Sequence, residues 1–288
     1  MFDFRYHALS LAGVFIALVV GLLLGVAIGD KELVSSARNE VRDSLRRDVV
    51  RANSERADAR AELRRQQEYA DRSYPILTGG QLRGRTIGLV MLGETDGALE
   101  RVQSALEPTG ARLKVVAAVK SSVDIDELAE RAKGTRYAAL ATDDGLLDDF
   151  GTRMGVQIVE GGRLIGVART ALMRSLSGSF GGLDGVVVAR SEDKPEGERA
   201  AGRLAELQNG IVRGLVGSDV SVVGIETRDS DPSQVGWYRD REMSSVDNVD
   251  ETAGRAALVF VLGGSDGSFG RKDGAQGLLP PVVARERP

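Results

Sequence analysis

The chain has 288 residues, no cysteine and a single histidine, His7. These counts exclude disulfides, thiolate metal sites and cysteine nucleophiles, together with histidine clusters for zinc or copper and histidine-based catalytic triads. A net charge of −4 and an aromatic content of 5% argue against nucleic acid as a partner.

The first predicted element is a membrane-spanning helix. Residues 8–29 carry no charged side chain over 22 positions, and about 20 apolar residues in a helix span a hydrocarbon core of roughly 30 Å. A cleavable signal peptide is the alternative, because Ala27-x-Gly29 resembles a cleavage site. A signal peptide, however, has an apolar region of only about 7–15 residues. We therefore predict an uncleaved, single-pass anchor over residues 1–29.

Small residues recur at every fourth position of this helix, and they are Gly13, Ala17, Gly21, Gly25 and Gly29. This spacing places them on one stripe of the helix surface. Such stripes let two transmembrane backbones approach closely, although Gly is also common in membrane helices for other reasons. We predict that the stripe is a homodimer face.

Residues 30–74 are predicted to form one long helical stalk, since they contain no Gly or Pro and carry 11 basic and 10 acidic side chains. Apolar or small residues recur mostly at steps of three and four, which indicates one helix face. This seam consists of Val34, Ala37, Val41, Leu45, Val49, Ala52, Ala59 and Leu63. A two-stranded coiled coil would bury the seam. The alternative is a solvated single helix held by ion pairs one turn apart.

The charges beside the apolar span favour no clear orientation. Arg5 precedes the span, and five basic residues follow it between positions 31 and 47. A positive-inside count alone would place the C-terminal part in the cytoplasm. Acidic residues of similar number interleave those bases, and long domains translocate largely regardless of charge. We predict a protein of the cell membrane or envelope with an extracytoplasmic globular domain.

Residues 75–84 are predicted to be a linker, because Pro75 and the stretch TGGQLRGR interrupt the helical pattern. Residues 85–288 are predicted to form an α/β layered domain with a partly parallel sheet, because predicted strands alternate with predicted helices. The predicted strands are 86–92, 112–119, 184–190, 221–226 and 254–264. The predicted helices are 96–111, 123–133 and 197–215. The strand order cannot be read from the sequence.

Residues that could carry chemistry in this domain have simpler structural explanations. The glycines of 263–270 match neither dinucleotide-binding nor P-loop spacing, so turns explain them. The acidic cluster Asp143, Asp144, Asp148 and Asp149 lacks calcium-loop spacing and indicates a solvated loop or a helix start. The segment 241–251, with Asp247, Asn248 and Asp250, is interpreted as a turn before the last strand.

No copper site can be built from the sequence, because the five methionines are far apart and have no cysteine or histidine partner. Met91 in a predicted strand and Met173 in an apolar helical stretch are expected in the core. Trp237 and Tyr238 form either a surface recognition point or a loop anchor packed on the core. We predict no catalytic residue, no metal ligand and no resident cofactor.

The whole-chain pattern resembles the actinobacterial MctB family, described as copper transport outer membrane proteins. The resemblance rests on FRYHALSLAGVFIALVVGLLLG, on the charged stalk, and on SSVDNVDETAGRAALVFVL and GSFGRKDGAQGLLPP near the C-terminus. It implies an envelope protein with one N-terminal membrane segment and a role in copper efflux or homeostasis, with copper as a transported ion. It supplies no catalytic or metal-ligand motif.

Two functions therefore stand as hypotheses, and neither is enzymatic. The resemblance implies copper handling at the envelope, although one helical span per chain could form a channel only if many copies assembled. The layout of anchor, coil and domain also resembles that of actinobacterial envelope factors that act in cell separation. That resemblance and the architecture together favour a non-enzymatic dimeric scaffold or activator of a cell-wall hydrolase. The expected partners are the membrane, a second copy of the chain and an envelope protein, and not nucleic acid.

Overall fold

The computed structural model describes residues 4–192 and 195–281, except for the side chains of residues 4–5 and 28–37. The chain divides into two compact units, Met1–Gln66 and Gln67–Pro288. The helices are α1 (Phe4–Thr78), α2 (Ala98–Leu106), α3 (Ile125–Arg131), α4 (Leu146–Glu160), α5 (Arg163–Leu172), α6 (Glu198–Val216), α7 (Val235–Arg239) and α8 (Thr252–Leu262). The strands are β1 (Thr86–Leu92), β2 (Arg112–Val119), β3 (Met173–Gly178), β4 (Gly185–Arg190), β5 (Ser221–Ile225), β6 (Ser244–Val246) and β7 (Ser268–Phe269).

The first unit consists of the larger part of helix α1. Its segment Tyr6–Ala27 has a mean hydropathy of 2.7 and is long and apolar enough to cross a membrane, and none of it is buried within the protein. From residue 38 onward the helix is rich in charged side chains, and ion pairs such as Arg65–Glu62 join residues one turn apart. Such exposed pairs contribute only about 0.3–0.5 kcal/mol each.

The second unit is a mixed α/β domain built on one seven-stranded sheet with the order β3-β2-β1-β4-β5-β6-β7. Every pairing is parallel except that between β2 and β3. The prediction of an α/β domain with a partly parallel sheet is therefore confirmed. The chain moves outward from β1 to β2 and β3, and then returns to place β4 on the other side of β1. The sheet thus reverses its winding direction between β1 and β4, as in doubly wound folds.

Helices cover both faces of the sheet and bury one apolar core on each side. One core includes Val186 and Val188 of β4 with Phe150 of α4 and Ile211 of α6. The other core includes Val187 of the same strand and residues of α2 and α8. Side chains of a strand alternate between the two faces, so a strand covered on both sides is apolar at every position.

Helices α4 and α6 pack closely because glycines replace side chains at their contact. A Cβ atom on Gly155 would fall far inside van der Waals distance of the Ile211 carbonyl oxygen. A Cβ atom on Gly214 would meet the Thr152 carbonyl oxygen in the same way. Gly151 and Gly210 make equivalent contacts one turn away. The two backbones therefore touch directly along this interface.

The segment expected to be a linker, 75–84, lies within the second unit and packs on its other elements. Helix α1 continues through Pro75 to Thr78, although proline usually ends or kinks a helix. Tyr74 is buried and its hydroxyl donates a hydrogen bond of 2.6 Å to the Ala105 carbonyl oxygen, and Leu82 is fully buried. These contacts hold the last turns of α1 in place on the domain despite the proline.

The prediction of a strand at 254–264 is wrong, because this segment forms helix α8. A continuous apolar run does not show whether it is a strand or a buried helix. Gly254 lies so close to the backbone of Asn248 that a Cβ atom would clash with the Asn248 carbonyl. The last strands are instead β6 and the two-residue β7, which flank α8 in sequence. No bounds were predicted for α4, α5, α7, β3, β6 or β7. Met173, expected in an apolar helical stretch, is instead the first residue of β3.

The other predicted elements are confirmed with small boundary changes. Strands β1 and β2 have the predicted bounds, and β4 and β5 each differ by one residue at one end. The helix predicted at 96–111 is α2 followed by a 3-10 turn over Glu107–Thr109, and Gly110 ends it with a φ of 79°. The helices predicted at 123–133 and 197–215 are α3 and α6.

Candidate functional site

A cleft of about 470 Å³ opens at the carboxyl ends of β1, β4 and β5. Its walls are the turn after β1 (Glu94, Thr95, Asp96), the end of β4 (Ala189 and Arg190) and the segment after β5. This is the edge of the sheet where the winding direction reverses between β1 and β4. In open α/β sheets the crevice at that position is the usual ligand site. We call it the switch-point cleft.

Arg190, the last residue of β4, provides a guanidinium at the switch-point cleft. It donates a hydrogen bond to Gln234 Oε1 and lies 4.6 Å from the centre of the Trp237 ring. Arg241 stacks on the same indole at 3.9 Å, so Trp237 contacts two guanidinium groups. Burial lowers the pKa of Arg190, because the charged form loses hydration there.

Tyr238 is packed in the core, with its ring centre 5.5 Å from that of Trp237. It is fully buried, its ring covers Gly224 of β5, and its hydroxyl donates a 3.0 Å hydrogen bond to the Ile225 carbonyl oxygen. Burial raises the pKa of Tyr238 above its ordinary value. Of the two interpretations of Trp237 and Tyr238, packing on the core describes Tyr238, whereas Trp237 is partly buried beside Arg190.

A buried ion pair closes one side of the switch-point cleft. Glu226 follows β5 and is 2% exposed at its side chain, and its carboxylate lies 2.9 Å from Lys272 Nζ, which is 16% exposed. Ser233 Oγ and the Gln234 backbone N–H also donate hydrogen bonds to this carboxylate. Lys272 Nζ donates a further hydrogen bond to the Ser230 carbonyl oxygen at 2.6 Å. The Glu226 charge is therefore compensated within the protein.

The two C-terminal sequence signatures meet beside this ion pair. Asp247, at the end of β6, is fully buried and accepts hydrogen bonds from the backbone N–H groups of Arg271 and Lys272, at 2.7 and 2.8 Å. Gly270 has a φ of 142°, and a Cβ atom there would clash with the Asp247 carboxylate. The prediction that 241–251 is a turn before the last strand is wrong, because this segment contains strand β6 and leads into helix α8. Asp247 and Asn248 within it are fully buried.

Sequence reasoning missed Arg190, Glu226 and Lys272 as parts of one site. One signal was available, because polar residues directly after predicted parallel strands collect at a single edge of the sheet. Arg190 ends a predicted strand and Glu226 ends another. Their proximity depends on the strand order, which the sequence does not reveal.

The predicted dimer residues lie along α1, in the first unit. Gly13, Gly21 and Gly25 have no atom within 4 Å of a hypothetical Cβ, and Ala17 is exposed. The seam residues Val41, Leu45, Val49, Ala52, Ala59 and Leu63 are exposed as well. The surroundings of Gly29 and the side chains of Val34 and Ala37 lie outside the described residues.

The acidic cluster marks the start of helix α4, as one of the two interpretations predicted. Asp148 and Asp149 occupy its first turn, where carboxylates stabilise the helix dipole. Asp148 pairs with Arg213, Asp149 with Arg136, and Asp144 with Arg203. Three of the four carboxylates are therefore paired with arginines, and Asp143 accepts a hydrogen bond from the Gly145 backbone N–H.

The four methionines in the described part of the chain are core residues. Met91, Met154, Met173 and Met243 are each buried, as predicted for Met91 and Met173. Met91 packs on the face covered by α2 and α8, and the other three pack on the opposite face. Within residues 4–192 and 195–281, no group of three or more His, Cys, Asp or Glu side chains is arranged to hold a metal ion.

Comparison with known proteins identifies the family. A family model described as "Copper transport outer membrane protein, MctB" matches residues 1–161 and 164–280, which is nearly the whole chain. No curated protein sequence matches the chain. The matched residues include the apolar span, the charged helix and both C-terminal signatures around Asp247 and Lys272. The chain therefore belongs to the MctB family, whose name describes copper transport.

Proposed function

We propose that this protein is a membrane-anchored envelope protein that acts in copper efflux or homeostasis, with copper as a cargo ion. The family match over nearly the whole chain is the observation that supports this function. The apolar segment Tyr6–Ala27 is suited to anchoring the chain in a membrane by a single pass. In this proposal the second unit is extracytoplasmic and no catalytic step or resident cofactor is involved.

The proposed working form is a homodimer joined through the first unit. In this form the stripe of Gly13, Ala17, Gly21, Gly25 and Gly29 lets two membrane helices approach closely. The exposed side chains of Val41 (59%), Leu45 (60%) and Val49 (57%) support a coiled coil beyond the membrane, since a partner helix would remove them from water. The proposed organisation is an anchor over 1–29, a coiled-coil stalk over 30–74, a connecting segment over 75–84 and the α/β domain over 85–288.

The copper role is tested by measuring total cellular copper in a gene-deletion strain, at a sub-toxic copper concentration, by elemental mass spectrometry. We expect copper several-fold higher in the deletion strain and restored to the parental level by the wild-type gene. Equal copper in the deletion and parental strains would contradict the copper role.

The dimer is tested by crosslinking in membranes. Gly21→Leu with Gly25→Leu should abolish the crosslinked dimer, because two bulky side chains separate the helices. Val19→Leu with Val26→Leu is the matched control, since these positions lie off the small-residue stripe. Unchanged crosslinking in the glycine variant would contradict the proposed dimer face.

The second candidate function is a non-enzymatic scaffold or activator of a cell-wall hydrolase, and the exposed seam of the stalk favours it. A dimeric coil presents an extended surface that suits an envelope protein partner. This function predicts chained, unseparated cells in the deletion strain, observed by microscopy, together with normal copper. Separated cells with raised copper would contradict it and support the copper role.

A further inference from the structure

The switch-point cleft contains polar atoms that the described part of the chain leaves without a partner. Arg190 Nε and Thr95 Oγ1 are both shielded from solvent, and neither has a hydrogen-bond partner among the described residues. Both residues line the same cleft. Buried polar atoms are nearly always hydrogen-bonded in folded proteins, so unpartnered ones indicate a missing ligand group or water.

The charge of Arg190 is also poorly compensated. Its hydrogen-bond acceptor, Gln234 Oε1, is neutral, and its other contact is the indole of Trp237. Arg241 adds a second positive charge 3.9 Å from the centre of that ring. Glu192 acts on Arg190 electrostatically, and no ion pair joins Arg190 to a carboxylate within the described residues. A half-buried guanidinium in this setting favours binding of an anion that it can contact through two N–H groups.

Within the described residues, the carboxylates that line the cleft form no ion pair with Arg190. Glu226 is neutralised by Lys272, and Glu94 is paired with Arg174 at 3.3 Å. Asp96, Glu192 and Asp231 are exposed at the rim, where water and salt screen their charges. Rim carboxylates of this kind accept hydrogen bonds from hydroxyl or amino groups. The lining therefore places the Arg190 guanidinium in the interior of the cleft and hydrogen-bond-accepting carboxylates at its rim.

We propose that the switch-point cleft binds a small polar molecule through an oxyanion group, a carboxylate or a phosphate, held by Arg190 and Thr95. The Arg190 guanidinium pairs with the anion and the Thr95 hydroxyl donates to it, while hydroxyl or amino groups of the ligand face the rim. A volume of about 470 Å³ suits a ligand of metabolite size. This site is independent of the proposed copper role.

Trp237 provides a direct optical test, because it is the one tryptophan of the chain and stacks on Arg190. Full-length protein in detergent is titrated with inorganic pyrophosphate, with citrate and with spermidine at constant ionic strength, and the tryptophan emission is recorded. We expect a saturable change with pyrophosphate or citrate and none with spermidine. The probe that saturates distinguishes a phosphate site from a carboxylate site.

Two variants connect the signal to the cleft. Thr95→Val keeps the side-chain shape and removes the hydroxyl, and Arg190→Lys keeps the charge and removes the planar pair of donors. Each should weaken binding about tenfold or more, which corresponds to loss of one hydrogen bond to a charged group. Arg163→Gln is the matched control, because Arg163 is exposed on α5 outside the cleft, and it should leave binding unchanged.

Three results would overturn the proposal. The first is no saturation with either anion, and the second is saturation with spermidine, which would show that the acidic rim dominates. The third is anion binding that Thr95→Val leaves at wild-type strength. Thr95→Val keeps the test decisive even if Arg190→Lys destabilises the fold, because it replaces one hydroxyl by a methyl group.

Discussion

The two units of the chain differ in whether their apolar side chains are buried. In the first unit, Val41, Leu45, Val49 and the residues of Tyr6–Ala27 are exposed to the surroundings of the helix. In the second unit, apolar residues of the same types form two cores that cover both faces of the sheet. Burial of a Val or Leu side chain contributes about 1.5–3 kcal/mol. The second unit obtains this stabilisation within one chain, and the first can obtain it only from lipid or another helix.

The ion pairs of the two units also differ in their exposure to solvent. The Arg65–Glu62 pair of the first unit lies in solvent, whereas the Lys272–Glu226 pair of the second unit is enclosed. An exposed pair can be broken at little cost, but a single charge left inside a protein is strongly unfavourable. The following variants test whether the second unit is held by internal contacts that the first unit lacks.

Lys272→Met should have the largest effect. It leaves the Glu226 carboxylate buried without its cation, and the free energy of unfolding should fall by about 3–5 kcal/mol. Urea unfolding of the full-length protein, followed by Trp237 emission, measures the loss. The matched control is Lys133→Met, because Lys133 pairs with Glu130 at a side-chain exposure of 66%, and it should change stability by about 0.5 kcal/mol or less. Equal effects of the two variants would show that the Lys272–Glu226 pair is not structurally important.

Gly155→Ala should have the next largest effect. The free energy of unfolding should fall by about 1–3 kcal/mol, because the added methyl group forces α4 and α6 apart. The same unfolding experiment measures this loss. Gly166→Ala is the control, since Gly166 lies in helix α5 with open space around a hypothetical Cβ. That variant should stabilise the protein by about 0.5–1 kcal/mol, because alanine is the better helix former. A neutral Gly155→Ala variant would argue against direct backbone contact between the helices.

Asp184→Asn should have a smaller, pH-dependent effect. The Thr86 backbone N–H and hydroxyl donate to the Asp184 carboxylate at 2.7 and 2.8 Å, and these hydrogen bonds lower its pKa in the folded protein. The carboxylate therefore contributes stability above its unfolded pKa of about 3.9, and the contribution is lost as the pH falls through the lower folded pKa.

Urea unfolding of wild type and Asp184→Asn should differ by about 1 kcal/mol or less at pH 7, and the difference should shrink towards pH 2. Asp266→Asn, at an exposed position in the loop before β7, serves as the control. A difference that grows on acidification would have the wrong sign for a carboxylate with a lowered pKa.

Val41→Ser with Leu45→Ser should have no measurable effect on unfolding of the second unit, because both residues lie in the first unit and are exposed. Urea unfolding monitored by Trp237 should coincide with that of the wild type. Crosslinking of the same variant in membranes should show less dimer. A lowered unfolding midpoint together with unchanged crosslinking would mean that these side chains stabilise the single chain rather than a dimer.

Local patterns predicted half of the fourteen helices and strands that the structure describes after α1, and two of the failures have a clear physical cause. Strands β1, β2, β4 and β5 were predicted because short apolar runs alternate with amphipathic helices. Helix α8 was predicted as a strand because an apolar run buried on most sides loses the helical period. Strand β3 was missed because most of its residues are exposed and it lies at the edge of the sheet. Both failures reflect burial, which depends on the rest of the fold.

The sequence by itself determined the apolar span, the spacing of apolar residues mostly three or four apart in the following helix, the α/β class and the family, because these depend on composition and on spacing within a few turns or strands. Only the tertiary structure decided the strand order, the switch-point cleft and the joining of Glu226 to Lys272. Those features bring together residues far apart in the chain, such as Thr95, Arg190 and Glu226. A hydrophobic period specifies which face of an element is buried, but not which element covers it.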